Sequence, residues 1–385
     1  MRAAGTNFDY DLLVLGSGPA GQRAAVQAAK LGKRVGIIER SRMVGGVCLH
    51  TGTVPSKTFR EAVLSLTHVP TLSRGIPIDR PRPTMEDLLH RVNGVIEREL
   101  DVVARQLARN GVDVIAGTAR FVDPHTLAIN GDHLDRQASA ARILIACGSV
   151  PAPPPVDADH ETILTSDDIV HLRKLPRSLA VIGGGVIGVE YASMFAELGV
   201  EVTLVDRHER PLEFCDHEII DELMHQMRQK RVTFRLGESV KLIRGIDAPR
   251  GAAIDLESGK HIEVDAVLFS IGRIGATAPL ALDKAGLAAD DRGRLKVNDR
   301  YETSVPHISA AGDIIGFPAL ASTSSEQGRL AVCHMFGAEA KPTPAGFPYG
   351  IYAIPEISMI GATEQELTAQ KIPYEVGVAR YEEIA

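Results

Sequence analysis

Two copies of one glycine pattern constrain the fold of this chain more than any other feature. The first copy runs from the apolar segment Tyr10–Leu15 through Gly16-Ser17-Gly18-Pro19-Ala20-Gly21 and a helical stretch to a second apolar segment ending at Glu39. In a strand–turn–helix–strand unit, such glycines permit a tight turn, backbone approach to a pyrophosphate and close helix packing, and the acid accepts hydrogen bonds from a ribose. We therefore predict that Gly16, Gly18, Gly21 and Glu39 bind a dinucleotide. A bare glycine-rich turn is the alternative, and the flanking elements argue against it.

The second copy repeats this order at residues 178–206. An apolar strand is followed by Gly183-Gly184-Gly185-Val186-Ile187-Gly188, by a helix expected from Val189 to about Leu198, and by a strand ending at Asp206. We predict a second dinucleotide site, formed by Gly183, Gly185, Gly188 and Asp206. The Pro-rich segment 151–155 between the copies predicts a stiff linker and a domain boundary.

Length and charge agree with an α/β enzyme of more than one domain. A chain of 385 residues exceeds a single ordinary core. The net charge of -7, with Lys and Arg spread along the chain, argues against a nucleic-acid partner. No signal sequence and no run of about 18 apolar residues is seen, so we predict a cytoplasmic protein with no membrane partner.

The segment from Gly45 to Lys57 resembles a redox-active dithiol site with one sulfur missing. Cys48 is present, but the residue five positions later is Thr53, so the pair cannot form a disulfide. Dithiol exchange needs two sulfur atoms. If the surrounding residues bind a flavin and a nicotinamide, the remaining chemistry is hydride transfer between nucleotides. The other cysteines, which we expect to pack, show no metal-ligand spacing, and we predict no metal site.

With these motifs in place, residues from about Tyr10 to Ile360 resemble the flavoprotein disulfide reductase family, the class-I pyridine nucleotide-disulfide oxidoreductases. The stretch Ile145-Ala146-Cys147-Gly148-Ser149 is similar to a family strand end, and Ala310-Ala311-Gly312-Asp313 is similar to its second FAD motif. Within the family, the chain is most similar to the soluble, Si-specific pyridine nucleotide transhydrogenases. That branch also lacks the second cysteine.

The resemblance implies FAD at the first glycine motif and NAD(P)H or NAD(P)+, as substrate, at the second. It also implies that Lys57 lies near the flavin ring and pairs with Glu190, since a buried cation needs a partner; two ordinary surface charges are the alternative. The implied catalytic residues are Cys48, Lys57 and Glu190. The implied FAD-binding residues are Gly16, Gly18, Gly21, Glu39, Gly45, Gly46, Lys57, Gly148 and Asp313. The implied NAD(P)-binding residues are Gly183, Gly185, Gly188, Glu190, Asp206, Arg207, Gly272 and Arg273.

The motif order, read with the family, predicts two Rossmann-like domains and the start of a third domain. The FAD-binding domain is split between residues 1–150 and 272–342, and the NAD(P)-binding domain occupies 151–271. Residues 343–385 resemble the start of a truncated α+β dimerisation domain, with its first strand at 347–356. The family also implies a homodimer.

The reaction we expect is reversible hydride transfer from NADPH to NAD+ by a ping-pong route through FAD. The alternatives are a dihydrolipoamide dehydrogenase-like disulfide reductase, which Thr53 disfavours, and an NAD(P)H oxidase or peroxidase using Cys48 as a sulfenic acid. An inactive, truncated flavin-binding relic is the non-enzyme alternative.

Three side-chain roles stay open at this point. Asp206 favours a ribose 2′-hydroxyl, whereas Arg207, His208 and Arg210 suit a 2′-phosphate or form a solvated charged turn. Cys48 either packs against the flavin or acts as a charge-transfer thiolate. His50 either lines the same pocket or is structural.

Overall fold

A computed structural model describes residues 8–41, 43–67, 83–131, 135–247, 250–341 and 346–380. The chain forms two compact units. The first comprises Met1–Leu175 and Ile271–Thr343, and the second comprises Pro176–Ser270 and Pro344–Ala385.

The described residues form α-helices, short 3-10 helices and β-strands. The α-helices are α1 (Pro19–Lys30), α2 (Gly46–His50), α3 (Thr53–Thr67), α4 (Met85–Arg109), α5 (Val186–Glu197), α6 (His217–Gln229), α7 (Ala321–Met335) and α8 (Glu364–Ala369). Short 3-10 helices occupy Ile169–His171, Ala278–Leu280, Leu282–Ala285 and Asp313–Ile315.

The strands divide between the two units. Those of the first unit are β1 (Tyr10–Leu15), β2 (Val35–Glu39), β3 (Asp113–Ala116), β4 (Thr118–Asp123), β5 (Thr126–Asn130), β6 (Arg136–Ile145), β7 (Ser149–Pro151), β8 (Ile163–Thr165), β16 (Arg273–Gly275) and β17 (Ile308–Ala310). Those of the second unit are β9 (Ser178–Ile182), β10 (Glu201–Asp206), β11 (Thr233–Leu236), β12 (Val240–Asp247), β13 (Arg250–Leu256), β14 (His261–Val264), β15 (Ala266–Phe269), β18 (Tyr349–Ile351) and β19 (Ile357–Met359).

The first unit is built on a sheet with strand order β3-β2-β1-β6-β5-β4, and β17 also pairs with β6. Strands β1, β2, β3, β6 and β17 run parallel, while β4, β5 and β6 form an antiparallel meander. Successive side chains of β1 point to opposite faces of the sheet, as the two-residue period of a strand requires. Leu12 and Val14 pack with α1, whereas Leu13 and Leu15 pack with β4 and β5.

The second unit repeats the parallel arrangement in the order β11-β10-β9-β15. Strands β12, β13 and β14 form a separate antiparallel sheet, and β18 and β19 form a two-stranded ribbon. The predicted Rossmann-like α/β class is confirmed. In both units the glycine turn leads from the carboxyl end of the first parallel strand to a helix N-terminus, which is where dinucleotides bind in such sheets.

Element bounds agree closely with the sequence in the first motif and less closely elsewhere. Helix α5 begins at Val186 rather than at Val189, because the turn passes directly into helix at Gly185. The expected strand over 347–356 is only partly formed, and Tyr349–Ile351 is its extended portion. Residues 342–345, at the predicted start of the third domain, lie outside the described residues.

The compact units differ in extent from the predicted functional domains. Residues 151–175, which include the Pro-rich segment, group with the first unit, and residues after 343 group with the second. Which cofactor each unit binds, and whether the final segment begins a dimerisation domain, stay predictions.

Candidate active site

The glycine turn of the first unit is closed by contacts that only glycine permits. Gly16 has a φ of +99°, and a Cβ on Gly21 would lie 1.9 Å from the Gly16 carbonyl oxygen. Gly18 differs from both, because a Cβ there would meet no protein atom within 4 Å. Helix α1 begins just after Gly18 and has no side-chain cap on its N-terminal N–H groups. The turn therefore presents open space and a positive helix end, which suits a pyrophosphate.

Glu39 lies buried beneath this turn, at the end of β2. Its Oε2 accepts hydrogen bonds from the Ser17 N–H at 2.9 Å and the Ser17 hydroxyl at 2.6 Å, and its Oε1 accepts one from the Ser41 N–H at 2.9 Å. A carboxylate oxygen accepts about two hydrogen bonds. Among the described residues, Oε1 receives this one hydrogen bond, which leaves it a second accepting position that a ribose hydroxyl can use.

Helix α2 brings the cysteine segment against the same turn. The Gly45 N–H donates to the Ser17 hydroxyl at 2.9 Å, and a Cβ on Gly46 would lie 2.8 Å from the Gly18 Cα. Ser17 therefore ties Glu39 and the cysteine segment together through one hydroxyl. Only glycine at position 46 allows α2 to approach the turn this closely.

Cys48 has Thr53 as its immediate partner where a dithiol enzyme has its second sulfur. Burial raises the pKa of the Cys48 thiol and outweighs the opposing effect of its hydrogen bonds to the Thr53 side chain and the Val54 backbone. A raised pKa keeps the thiol protonated at neutral pH, whereas a reactive peroxidatic cysteine needs a thiolate. The site therefore disfavours the oxidase or peroxidase chemistry considered for Cys48.

His50 has a structural partner in the same segment. Its Nε2 lies 3.0 Å from the Val44 carbonyl oxygen, so this nitrogen carries a proton and donates to it. This contact holds the ring against the segment that precedes α2. Of the two roles left open, the geometry supports the structural one.

Asp313 follows β17 and is held by Ser149 at the start of β7. The Ser149 hydroxyl donates to Asp313 Oδ2 at 2.8 Å. Buried Gln327 of α7 accepts a hydrogen bond from the Gly312 N–H at 2.8 Å, which fixes the backbone before the acid. Two distant segments thus position a carboxylate at the wall of the cleft, as the predicted FAD motif requires.

These elements line one cleft, which is partly open to solvent. The predicted FAD residues that line it are Gly16, Gly18, Glu39, Gly46, Gly148 and Asp313, with Cys48 beside them. Gly21 and Gly45 are not among the lining residues, and they contact Gly16 and Ser17 of the turn instead. A glycine cradle at a helix end, a buried acid with accepting capacity and a second acid on the wall together fit a dinucleotide.

Arg273, predicted beside NAD(P), has extensive contacts inside the first unit. Its Nε donates to the Ser149 hydroxyl at 2.9 Å, and its Nη1 forms an ion pair with Asp167 at 2.9 Å. Gly272 precedes it with a φ of +112°. These contacts make Arg273 a support for the Ser149–Asp313 pair, and its role toward a nicotinamide nucleotide stays a prediction.

The glycine turn of the second unit reproduces the geometry of the first. A Cβ on Gly188 would lie 1.9 Å from the Gly183 carbonyl oxygen, and a Cβ on Gly185 would meet nothing within 4 Å. Asp206 accepts a hydrogen bond from the Gly184 N–H, at the same 22-residue separation as Glu39 and Ser17. The equal spacing and equal contacts indicate two versions of one dinucleotide-binding unit.

Asp206 differs from Glu39 in a contact to a neighbouring imidazole. Its Oδ1 accepts from the His208 N–H at 2.7 Å and lies 2.6 Å from His208 Nδ1. Arg207 Nε lies 3.3 Å from His208 Nε2. Arg210 forms an ion pair with Asp221 at 3.1 Å. Of the three basic residues considered for a 2′-phosphate, His208 and Arg210 therefore each contact a carboxylate already.

Glu190 is buried in α5, and its carboxylate anchors the chain after β18. Glu190 Oε1 accepts a hydrogen bond from the Tyr352 N–H at 2.9 Å, and the Ser193 hydroxyl accepts one from the Ile354 N–H at 3.0 Å. Lys57 lies in α3 of the other unit. The pairing of Lys57 with Glu190 stays a prediction.

Sequence reasoning missed several residues that organise the site of the first unit. Ser17 occupies a variable position of the glycine motif, and Ser149 and Gln327 contact residues far away along the chain. Ser17 and Ser149 were open to detection because each lies inside a segment already quoted as a motif. Gln327 carries no local signal.

Fold and site together define the class of α/β oxidoreductases that bind two dinucleotides. The family model for pyridine nucleotide-disulphide oxidoreductases matches residues 10–328, and the chain belongs to this family. Among the described residues, no helix combines the length and apolar character needed to cross a membrane.

Curated relatives cover almost all of the chain. It is 51% identical to the soluble pyridine nucleotide transhydrogenase of Mycobacterium bovis strain BCG, over 98% of this chain and 81% of the relative. It is 42% identical to the protein of the same name from Colwellia psychrerythraea, over 98% of this chain and 82% of the relative.

Solved structures support the same fold. RclA, an HOCl-induced flavoprotein disulfide reductase from Escherichia coli, is 29% identical with a TM-score of 0.83, covering 94% of this chain and 79% of that one. LpdA from Mycobacterium tuberculosis is 28% identical with a TM-score of 0.85, covering 93% and 80%. The family and these neighbours support the predicted cofactor, FAD, with NAD(P)H as substrate.

Proposed function

We propose that this protein is a transhydrogenase that moves a hydride reversibly from NADPH to NAD+ by a ping-pong route. The relatives named soluble pyridine nucleotide transhydrogenases support this activity at 42–51% identity. FAD, when bound, supplies a ring that accepts and returns a hydride. The sequence carries one glycine motif besides that of the FAD site, so the two nicotinamide nucleotides use one pocket in turn.

The observation that carries the proposal is the pairing of Cys48 with Thr53. The partner position holds a hydroxyl, and burial keeps the Cys48 thiol protonated. No second sulfur is available there to store an electron pair by disulfide formation. This pairing supports nucleotide hydride exchange over dithiol exchange at this site.

The residues of the cleft bind and orient rather than react. Gly16, Gly18 and the N-terminus of α1 receive the pyrophosphate, Glu39 holds the adenosine ribose, and Asp313 holds the ribityl chain. Gly183, Gly185 and Gly188 receive the nicotinamide nucleotide in the second unit. Lys57 would stabilise negative charge on the flavin ring, and its pairing with Glu190 stays a prediction. Cys48 packs against the flavin without exchanging electrons.

The test is a stopped-flow experiment on the flavin-loaded protein. NADPH is mixed first, and thio-NAD+ is added as a chase while flavin absorbance is followed. We expect bleaching by NADPH and reoxidation by thio-NAD+. Lipoamide turnover without nucleotide exchange would contradict the proposal and favour the disulfide reductase alternative.

A Cys48→Ser variant separates packing from electron relay. We expect the variant to transfer hydride within about twofold of the parent rate, a change of about 0.4 kcal/mol in the barrier, because serine replaces a packing group that takes no part in the transfer. Cys147→Ser is the matched control, since Cys147 lines the same cleft. Loss of reoxidation in Cys48→Ser alone, with flavin retained, would show that the thiol is a relay.

The cytoplasmic location, the homodimer and the absence of a nucleic-acid partner stay predictions. The homodimer is tested by measuring the mass of the purified chain in solution.

A further inference from the structure

A transhydrogenase pocket must accept two groups of different charge at the ribose 2′ position, a neutral hydroxyl in NAD(H) and an anionic phosphate in NADP(H). The acid that ends the second strand of a dinucleotide-binding unit accepts a 2′-hydroxyl and repels a 2′-phosphate. One pocket that serves NAD(H) and NADP(H) must do both. Asp206 is that acid in the second unit, and only 9% of its surface is exposed.

Asp206 is not a bare carboxylate. Its Oδ2 accepts from the Gly184 N–H, and its Oδ1 accepts from the backbone N–H of His208 at 2.7 Å. The imidazole adds a further bond, with Nδ1 at 2.6 Å from Oδ1. Because Oδ1 only accepts, Nδ1 carries a proton. His208 thus fills the remaining accepting position of this oxygen.

The other side of the imidazole contacts two charged groups of opposite sign. Nε2 lies 3.3 Å from Arg207 Nε and 3.6 Å from Glu213 Oε2. As an acceptor, Nε2 holds the Arg207 guanidinium beside the acid; as a donor, it forms an ion pair with Glu213. In both arrangements positive charge lies at the imidazole that contacts Asp206, either on the Arg207 guanidinium or on the imidazole itself.

We propose that His208 is the specificity-determining residue that lets one pocket accept both nucleotides, because it shields the Asp206 carboxylate and holds Arg207 as part of that shield. The proposal rests on the proposed function, since it explains how one site takes a 2′-hydroxyl and a 2′-phosphate in turn. His208 acts through Asp206 and is a positioning residue. Arg210, which pairs with Asp221, does not have this role.

The experiment measures the Kd of NADP+ and of NAD+ by titration calorimetry on the flavin-loaded protein. The variants are His208→Ala, Asp206→Asn and the double variant. Position 208 keeps its backbone N–H bond to Asp206 in the Ala variant. The matched control is His261→Ala, because His261 forms a similar imidazole contact with Asp255, at 2.6 Å, elsewhere in the same unit.

We expect His208→Ala to raise the Kd of NADP+ about tenfold, as expected for loss of charge-assisted hydrogen bonding, and to change that of NAD+ by less than about twofold. In the Asp206→Asn background no carboxylate needs shielding. Adding His208→Ala there should raise the Kd of NADP+ by well under tenfold. His261→Ala should change neither Kd.

Equal losses for both nucleotides would overturn the proposal, since they would show a merely structural role. An unchanged tenfold effect in the Asp206→Asn background would also overturn it, because His208 would then act independently of the acid. Binding is measured without turnover, so its outcome is separate from that of the stopped-flow test. A shielding effect with no hydride exchange would leave this inference standing and reject the proposed function.

Discussion

Gly18 and Gly185 are the two glycines whose lack of a side chain points most directly to a bound ligand. Both have extended backbone conformations open to any residue, with φ of -67° and -74°, and a Cβ at either position meets no protein atom within 4 Å. Their lack of a side chain therefore has no explanation within the part of the chain that the structure describes. It is explained by a ligand that approaches the backbone.

Alanine substitutions at these two glycines test the assignment of the two sites. We expect Gly18→Ala to weaken FAD binding by about fivefold to a hundredfold, since an overpacked methyl group costs about 1–3 kcal/mol. Gly185→Ala should retain FAD and weaken NADP+ and NAD+ binding instead. Flavin content after purification and nucleotide titration measure both effects. Equal flavin loss in the two variants would contradict the assignment.

At the scale of elements, the packing of α1 against α7 supports the first glycine turn. A Cβ on Gly328 of α7 would lie 2.1 Å from the Ala20 carbonyl oxygen in α1. Helix α7 also supplies Gln327, which holds the Gly312 N–H. One helix thus sets the position of both the pyrophosphate turn and the segment before Asp313.

We expect Gly328→Ala to lower the free energy of unfolding by about 1–3 kcal/mol, because the helices must move apart to admit the methyl group. Thermal denaturation of the flavin-loaded protein measures this. The control is Gly94→Ala in α4, where a Cβ meets nothing within 4 Å. That change should be stabilising by about 0.5–1 kcal/mol, as expected for glycine replaced by alanine inside a helix. Equal effects would show that interhelical contact is not the cause.

At the scale of the whole molecule, two stacked histidines join distant parts of the first unit. The His125 and His307 rings lie 3.7 Å apart between centroids. His125 Nδ1 donates to the Ala140 carbonyl oxygen, and His307 Nε2 donates to that of Pro124, each at 2.8 Å. Burial lowers the pKa of His307, and the nearby charges of His125 and Arg142 lower it further, against the opposing effect of the Pro124 hydrogen bond.

This lowered pKa predicts a loss of stability in acid. The unfolded chain binds the proton first, so the His307 contribution is complete above about pH 6.5 and disappears as the pH falls through the folded-state value. We expect the melting temperature of His307→Gln, which retains an N–H donor, to fall less than that of the parent between about pH 7.5 and pH 5.

His261 provides the control of opposite sign. Hydrogen bonds to Asp255 and Glu263 raise its pKa, so its contribution is present at low pH and is lost as the pH rises. His261→Gln should therefore not reduce the acid loss. If His307→Gln and the parent lose stability equally, the stacked pair is not responsible.

The prediction from sequence was most accurate where the signal is local. Strand β1, helix α1 and strand β2 occupy the expected residues, since glycine turns and apolar runs specify their own backbone conformation. The prediction was less accurate for 347–356, where a short apolar run does not show how much of it will pair. Only Tyr349–Ile351 of that range forms strand.

By itself, the sequence determined the two dinucleotide-binding units, the missing second sulfur and the family, because each is encoded by residue types at short, fixed spacings. Tertiary structure alone decided which partners the charged groups take. Arg273 pairs with Asp167, Arg210 with Asp221, and Asp206 with His208. Such choices depend on distances that folding sets between competing groups, and a linear pattern does not contain those distances.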